Sequence, residues 1–93
     1  MVVVMTEPPA DKSHRIGAEF LITDLEVALT FLDVAQTSSN PETVRRNREH
    51  ARRAYDTVLR LLSSLKVDES QRHNIGERLA KLRERLEAAG YRL

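Results

Sequence analysis

The sequence predicts an all-α fold, an up-down-up antiparallel three-helix bundle, and three observations support that prediction. Apolar residues recur every three or four positions in three separate segments, which is the period of one face of an α-helix. Residues that commonly begin or end helices stand between these segments. The connections between the segments are short, and short connections favour antiparallel neighbours in a bundle.

The first helix is expected over residues 13–38. Apolar residues at positions 21, 25, 28, 32 and 35 form its core-facing row, and Ser13 or Asp11 can cap its start. Residues 1–12 are expected to form a separate extended or flexible segment. The chain therefore divides into this N-terminal segment and one bundle domain over 13–93.

The second helix is expected over residues 41–66. Asn40 can accept hydrogen bonds from the first free backbone N–H groups of this helix. Pro41 suits the first helical position because a proline has no N–H group to leave unpaired there. Together these two residues predict a well-defined helix start.

The third helix is expected over residues 68–89. Asp68 and Gln71 have the spacing of a capping box, in which each side chain accepts a hydrogen bond from the other residue's backbone. Gly90 stands where helices often end in a left-handed residue, a conformation that glycine adopts without steric cost.

The composition of the 93 residues excludes several classes of protein. A net charge of +1 gives no overall attraction to nucleic acid or acidic membranes, and the absence of cysteine excludes disulfides and thiolate chemistry. The apolar run at the start covers only residues 1–5, which is too short for a secretory signal or a membrane span. We therefore expect a cytoplasmic protein with no membrane partner.

Charge is distributed unevenly along the chain. Residues 16–40 contain four acids and no Lys or Arg, whereas residues 41–66 contain seven bases and three acids. This contrast predicts that the first and second helices recognise each other. Asp24 is the one acid of its helix outside the polar strip, so we expect it to form a structural ion pair with Arg48 or Arg52 of the second helix.

The first helix also carries a second row of apolar residues that a three-helix bundle does not obviously bury. We call this set the apolar row: Ile16, Phe20, Val27, Phe31 and Val34. One interpretation is an interface for a protein partner or a second copy of the chain. The other is that the row packs inside the monomer or is covered by Val2–Met5.

Three arginines of the second helix recur every seven residues. We call this set the arginine row: Arg46, Arg53 and Arg60. Such a row could follow the phosphates of a nucleic acid or another polyanion. The alternative is a solvated face in which Glu49 pairs with Arg53 and Asp56 pairs with Arg60.

The sequence nominates no catalytic, cofactor-binding or metal-binding residues. Its histidines, His14, His50 and His73, fall one in each helix segment without the spacing of a metal site. The leading hypothesis is a small non-enzymatic module for protein–protein interaction or self-association that uses the apolar row. A homodimer is one form that this module could take. The alternative hypothesis is a weak nucleic-acid or polyanion binder that uses the arginine row.

Overall fold

The computed structural model describes residues 9–93, with side chains from Lys12 onward, and it confirms the all-α three-helix bundle. Helix α1 spans Pro9–Thr37, α2 spans Pro41–Leu62 and α3 spans Glu69–Ala88. No strand occurs within residues 9–93. None of the helices in that range combines the length and the apolar character needed to cross a bilayer.

Helix α1 begins at Pro9 rather than at residue 13, so the expected start of this helix was wrong. A proline is favourable at the first position of a helix because its missing N–H group would have no partner there. The last residues of the expected segment 1–12 are therefore helical. The rest of that segment, with Val2–Met5, lies outside the described residues.

Helix α2 ends at Leu62 rather than at residue 66. The hydroxyl groups of Ser63 and Ser64 each donate a hydrogen bond of 2.8 Å to a backbone carbonyl three residues earlier. These bonds satisfy carbonyl groups that would otherwise bond to further turns of helix. The chain then leaves the helix axis and crosses to α3.

The other three helix ends that the sequence marks are confirmed. Asn40 Oδ1 accepts hydrogen bonds from the backbone N–H groups of Glu42 and Thr43 at 2.9 and 3.3 Å. Asp68 and Gln71 form both bonds of the capping box. Gly90 has a φ of 101° and ends α3 in the left-handed region, where a residue with a Cβ atom is strained.

The core lies between one face of α1 and the facing sides of α2 and α3. Every position of the predicted core-facing row of α1 is buried, and Ala18 extends that row. The buried residues of the other two helices are Ala51, Tyr55, Val58, Ile75, Leu82 and Leu86. Because α1 packs against both neighbours, the chain uses its first helix as the centre of the bundle.

Four side-chain contacts define how the helices are aligned. His14 Nδ1 accepts a hydrogen bond of 2.9 Å from the backbone N–H of Lys66, and the Phe31 and His50 rings lie 5.3 Å apart. Residue numbers fall from Lys66, just after α2, to His50 as they rise from His14 to Phe31 along α1, so α1 and α2 are antiparallel. The ion pairs of α3, described below, rise together with α1 and show that those two helices are parallel.

Candidate interaction surface

The apolar row of α1 is largely exposed. Ile16, Phe20, Val27 and Val34 keep 52, 63, 43 and 41% of their surface accessible, respectively. Phe31 is half-buried, because its ring packs on His50 of α2. Within the described residues, the interpretation that the monomer buries this row therefore holds for Phe31 alone. Coverage by Val2–Met5 concerns residues outside the described part of the chain.

An open groove extends the apolar row onto the end of α2. It has a volume of about 430 Å³, and its walls include Ile16, Phe20 and, from beyond α1, Leu61 and Leu65. The segment just after α2 approaches α1 closely here because Gly17 has no side chain. A Cβ atom at Gly17 would lie 3.1 Å from Leu65 Cδ2. The glycine thus permits the contact that forms the floor of the groove.

The arginine row of α2 is exposed and forms no ion pair within the described residues. Glu49 bonds to Arg45 at 2.8 Å and Asp56 bonds to Arg52 at 3.1 Å. The expected pairs of Glu49 with Arg53 and of Asp56 with Arg60 are therefore wrong. Each acid binds the arginine four residues before it rather than the one four residues after it.

Further contacts of Arg45 and Arg52 explain why the acids bind those two arginines. Arg45 also forms an ion pair with Glu42, and that hydrogen bond lowers the pKa of the Glu42 carboxyl from its usual value. The guanidinium of Arg52 lies over the ring of Tyr91, 5.8 Å from its centroid. Both arginines are held in place by a second partner, which leaves the arginine row available to solvent.

The arginine row lies beside the α2 residues that contact the apolar row. His50, which packs against Phe31, lies one helical turn from both Arg46 and Arg53 on α2. Leu61, which lines the groove together with Phe20, directly follows Arg60. These two contacts place the basic side chains along the α2 edge of the apolar surface.

Acidic side chains follow the opposite edge of the apolar row. Glu19, Glu26 and Asp33 are spaced seven residues apart on α1, and we call them the acidic strip. Glu26 pairs with Arg78 at 2.9 Å and Asp33 pairs with Arg85 at 2.8 Å. Among the described residues Glu19 forms no ion pair.

Among the described residues, the ion pairs that α1 forms with other helices are therefore with α3 and not with α2. The contrast between an acidic first helix and a basic second helix did not reveal these pairs. The signal that could have revealed them is the spacing of Arg78 and Arg85, which matches that of Glu26 and Asp33. Equal spacing on two parallel helices allows both pairs to form at once.

Asp24 does not form the expected ion pair with Arg48 or Arg52. It is half-buried, and within the described residues it lies in no ion pair. The alignment of α1 with α2 explains this, because it places Asp24 opposite Thr57 and away from both arginines. Arg48 instead lines an open cleft of about 490 Å³ between the start of α2 and the end of α3.

The three histidines each make a contact with a different part of the bundle. His14 accepts the hydrogen bond from Lys66, His50 packs on Phe31, and His73 lies 3.2 Å from Glu77. No cluster of three or more histidine or acidic residues within the described range could hold a metal ion.

Together, the described residues form one mixed surface, which is the candidate interaction surface of this molecule. The apolar row lies in the middle, the acidic strip lies along one edge and the arginine row lies along the other. Comparison of the chain with protein-family models, with curated proteins and with solved structures gave no match.

Proposed function

We propose that this protein is a small non-enzymatic module for protein–protein interaction or self-association, and that it binds through the apolar row of α1. The observation that carries this proposal is the exposure of Phe20 and Val27, at 63 and 43%, on a helix whose opposite face is fully buried. Apolar surface of this kind with a polar rim is typical of interaction sites.

Covering this surface contributes favourable free energy to association. An aromatic side chain buries roughly 200 Å², so the exposed part of Phe20 corresponds to about 120 Å². At roughly 25 cal/mol per Å², its burial contributes about 3 kcal/mol before the costs of association. The other exposed members of the apolar row add to this contribution.

Contacts of the histidines support a non-enzymatic role. His14, His50 and His73 each bond to or pack against another residue of the bundle, so each has a structural explanation. The open groove beside Phe20 is lined mainly by apolar side chains, which suits the binding of an apolar protein surface.

Photocrosslinking in living cells tests the proposal. A photoreactive phenylalanine analogue replaces Phe20 in one variant and Ala80, exposed on the opposite side of the bundle, in the control. We expect a discrete protein adduct from position 20, weakened by Val27→Asp, and no adduct from position 80. Failure of position 20 to give any adduct would contradict the proposal.

A second candidate function is the weak binding of nucleic acid or another polyanion by the arginine row. It is favoured by the exposure of these arginines and by the lack of ion pairs to them among the described residues. Fluorescence anisotropy with labelled DNA would then show binding that weakens steeply with salt and is lost when all three arginines become glutamine. The absence of binding at low salt excludes this candidate.

A further inference from the structure

We infer that the apolar row is covered by a second copy of this chain, related to the first by a two-fold axis parallel to α1. In that arrangement the acidic strip of each copy lies against the arginine row of the other. The inference rests on the proposed function, since it takes the apolar row as an interface and names its partner.

The first argument is the spacing of the charges. Both the acidic strip and the arginine row repeat every seven residues, which is about 10 Å along a helix. The alignment of α1 with α2 places Glu19 near the level of Arg60. By the same alignment Glu26 is level with Arg53 and Asp33 with Arg46, each to within about two residues or roughly 3 Å.

The second argument is the direction of the two-fold axis. An axis parallel to α1 keeps every residue at its own level and exchanges the two edges of the surface. Each acid of one copy then meets an arginine of the other copy at the same level. An axis perpendicular to α1 would place the acidic strips together and the arginine rows together, and opposed like charges disfavour such an interface.

The apolar row suits the same arrangement. Phe20, Val27 and Val34 are seven residues apart, which is the repeat of a seam between two parallel helices. About the parallel axis each of these residues meets its own counterpart, with Thr23 and Thr30 between them. The exposed apolar side chains of both copies are then removed from water together.

The area of the surface is sufficient for a stable dimer. Helix α2 has 22 residues, so it overlaps α1 over about 33 Å. Two neighbouring helices are about 20 Å wide, which gives roughly 650 Å² per copy and about 1,300 Å² in total. Specific interfaces commonly bury about 1,200–2,000 Å² in total.

Carboxylates that already form ion pairs within the bundle can also pair with arginines of the second copy. Glu26 and Asp33 bind Arg78 and Arg85, yet an ionised carboxylate has about four acceptor sites and can bind a second guanidinium. Glu19 has no ion pair among the described residues, so its pairing with Arg60 of the second copy would be new. That pair is therefore the best one to test.

Charge exchange tests this pair without disturbing any ion pair among the described residues of the monomer. The Arg60→Glu and Glu19→Arg variants each place like charges against each other in their own dimer. We expect each variant alone to dissociate at least about tenfold more readily than the wild-type chain in sedimentation equilibrium. An equal mixture of the two restores opposite charges and should regain wild-type affinity. Absence of that rescue overturns the inference.

Disulfide formation tests the direction of the axis. The chain has no cysteine, so Ile16→Cys, Val34→Cys and the control Ala80→Cys each carry a single thiol. About the parallel axis, positions 16 and 34 both face their own counterparts and form disulfide-linked dimers on mild oxidation. About a perpendicular axis these positions exchange places, about 27 Å apart, which no disulfide can span.

The outcomes separate this inference from the function it rests on. Rapid crosslinking at positions 16 and 34, with slow crosslinking at position 80, supports the parallel dimer. A chain that is monomeric at every concentration, or that crosslinks at neither position, overturns it. If Phe20 photocrosslinks only to a different protein, the interaction function stands and the second copy is excluded. If it crosslinks to nothing, both fail.

Discussion

Two alanine substitutions, two residues apart on α1, test which face of this helix the monomer buries. Leu25 is fully buried and Val27 is 43% exposed. Replacing a buried leucine by alanine removes apolar contacts and leaves a cavity, which costs about 2.7–5 kcal/mol. A domain of this size is stabilised by roughly 5–14 kcal/mol, so Leu25→Ala removes a large fraction of the total.

The cost of Val27→Ala follows from its exposure. The change removes two carbon atoms that are slightly more than half buried, and at about 0.8 kcal/mol per buried carbon this costs about 0.9 kcal/mol. The higher helix propensity of alanine returns about 0.5 kcal/mol. We therefore expect Val27→Ala to lower the free energy of unfolding of the monomer by less than about 0.5 kcal/mol.

Urea unfolding followed by far-UV circular dichroism measures both values. The protein must be dilute, because a second copy would stabilise the folded state and make the result depend on concentration. If Val27→Ala proved as costly as Leu25→Ala under these conditions, the apolar row would belong to the core of the monomer. The assignment of this face as a binding surface would then be refuted.

Three single substitutions and one double-mutant cycle test individual features of the bundle by thermal or urea unfolding. Asp68→Ala removes the capping box and should cost about 1 kcal/mol, and no loss would mean that the cap does not stabilise α3. Gly76→Ala meets no atom within 4 Å and should stabilise the protein by about 1 kcal/mol, whereas Gly90→Ala, at a φ of 101°, should destabilise it by about 1 kcal/mol or more. A double-mutant cycle between Glu26 and Arg78 should give a coupling of about 0.2–1 kcal/mol, as exposed ion pairs do, and a value of zero would show that the pair does not help to align α1 with α3.

Local chemistry made the helices and most of their ends predictable from the sequence. Asn40, Asp68 and Gly90 act on backbone groups within a few residues, so their roles do not depend on the rest of the fold. The start of α1 was not predictable in this way, because Asp11 and Ser13 are also good caps. The structure includes both in the helix, which Pro9 begins.

The choice of ion pairs was not predictable in the same way. Asp56 has an arginine four residues before it and another four residues after it, and the contact of Arg52 with Tyr91 selects the first. That contact depends on where the end of α3 lies. Likewise, the pairing of Asp24 depends on the alignment of α1 with α2, which the hydrophobic period of a single helix does not fix.

The exposure of the apolar row was predictable from the sequence only in part. The sequence showed that α1 carries more apolar surface than two neighbouring helices need, but a bundle could still have buried it by rotating α1. Packing of Phe31 against His50 and of Gly17 against Leu65 sets that rotation. One contact joins α1 to α2 and the other joins α1 to the segment just after α2, and their formation leaves Phe20 and Val27 facing solvent.

Sedimentation equilibrium of the wild-type chain beside Val27→Asp tests the central claim most directly. A carboxylate in the middle of the apolar row should be tolerated in the monomer, where this position is exposed, but not in an interface that excludes water. We expect the wild-type chain to reach twice the mass of one chain as its concentration rises, and the folded variant to remain at the mass of one. Equal masses for the two proteins across the whole concentration range would contradict the claim that the apolar row joins two copies of this chain.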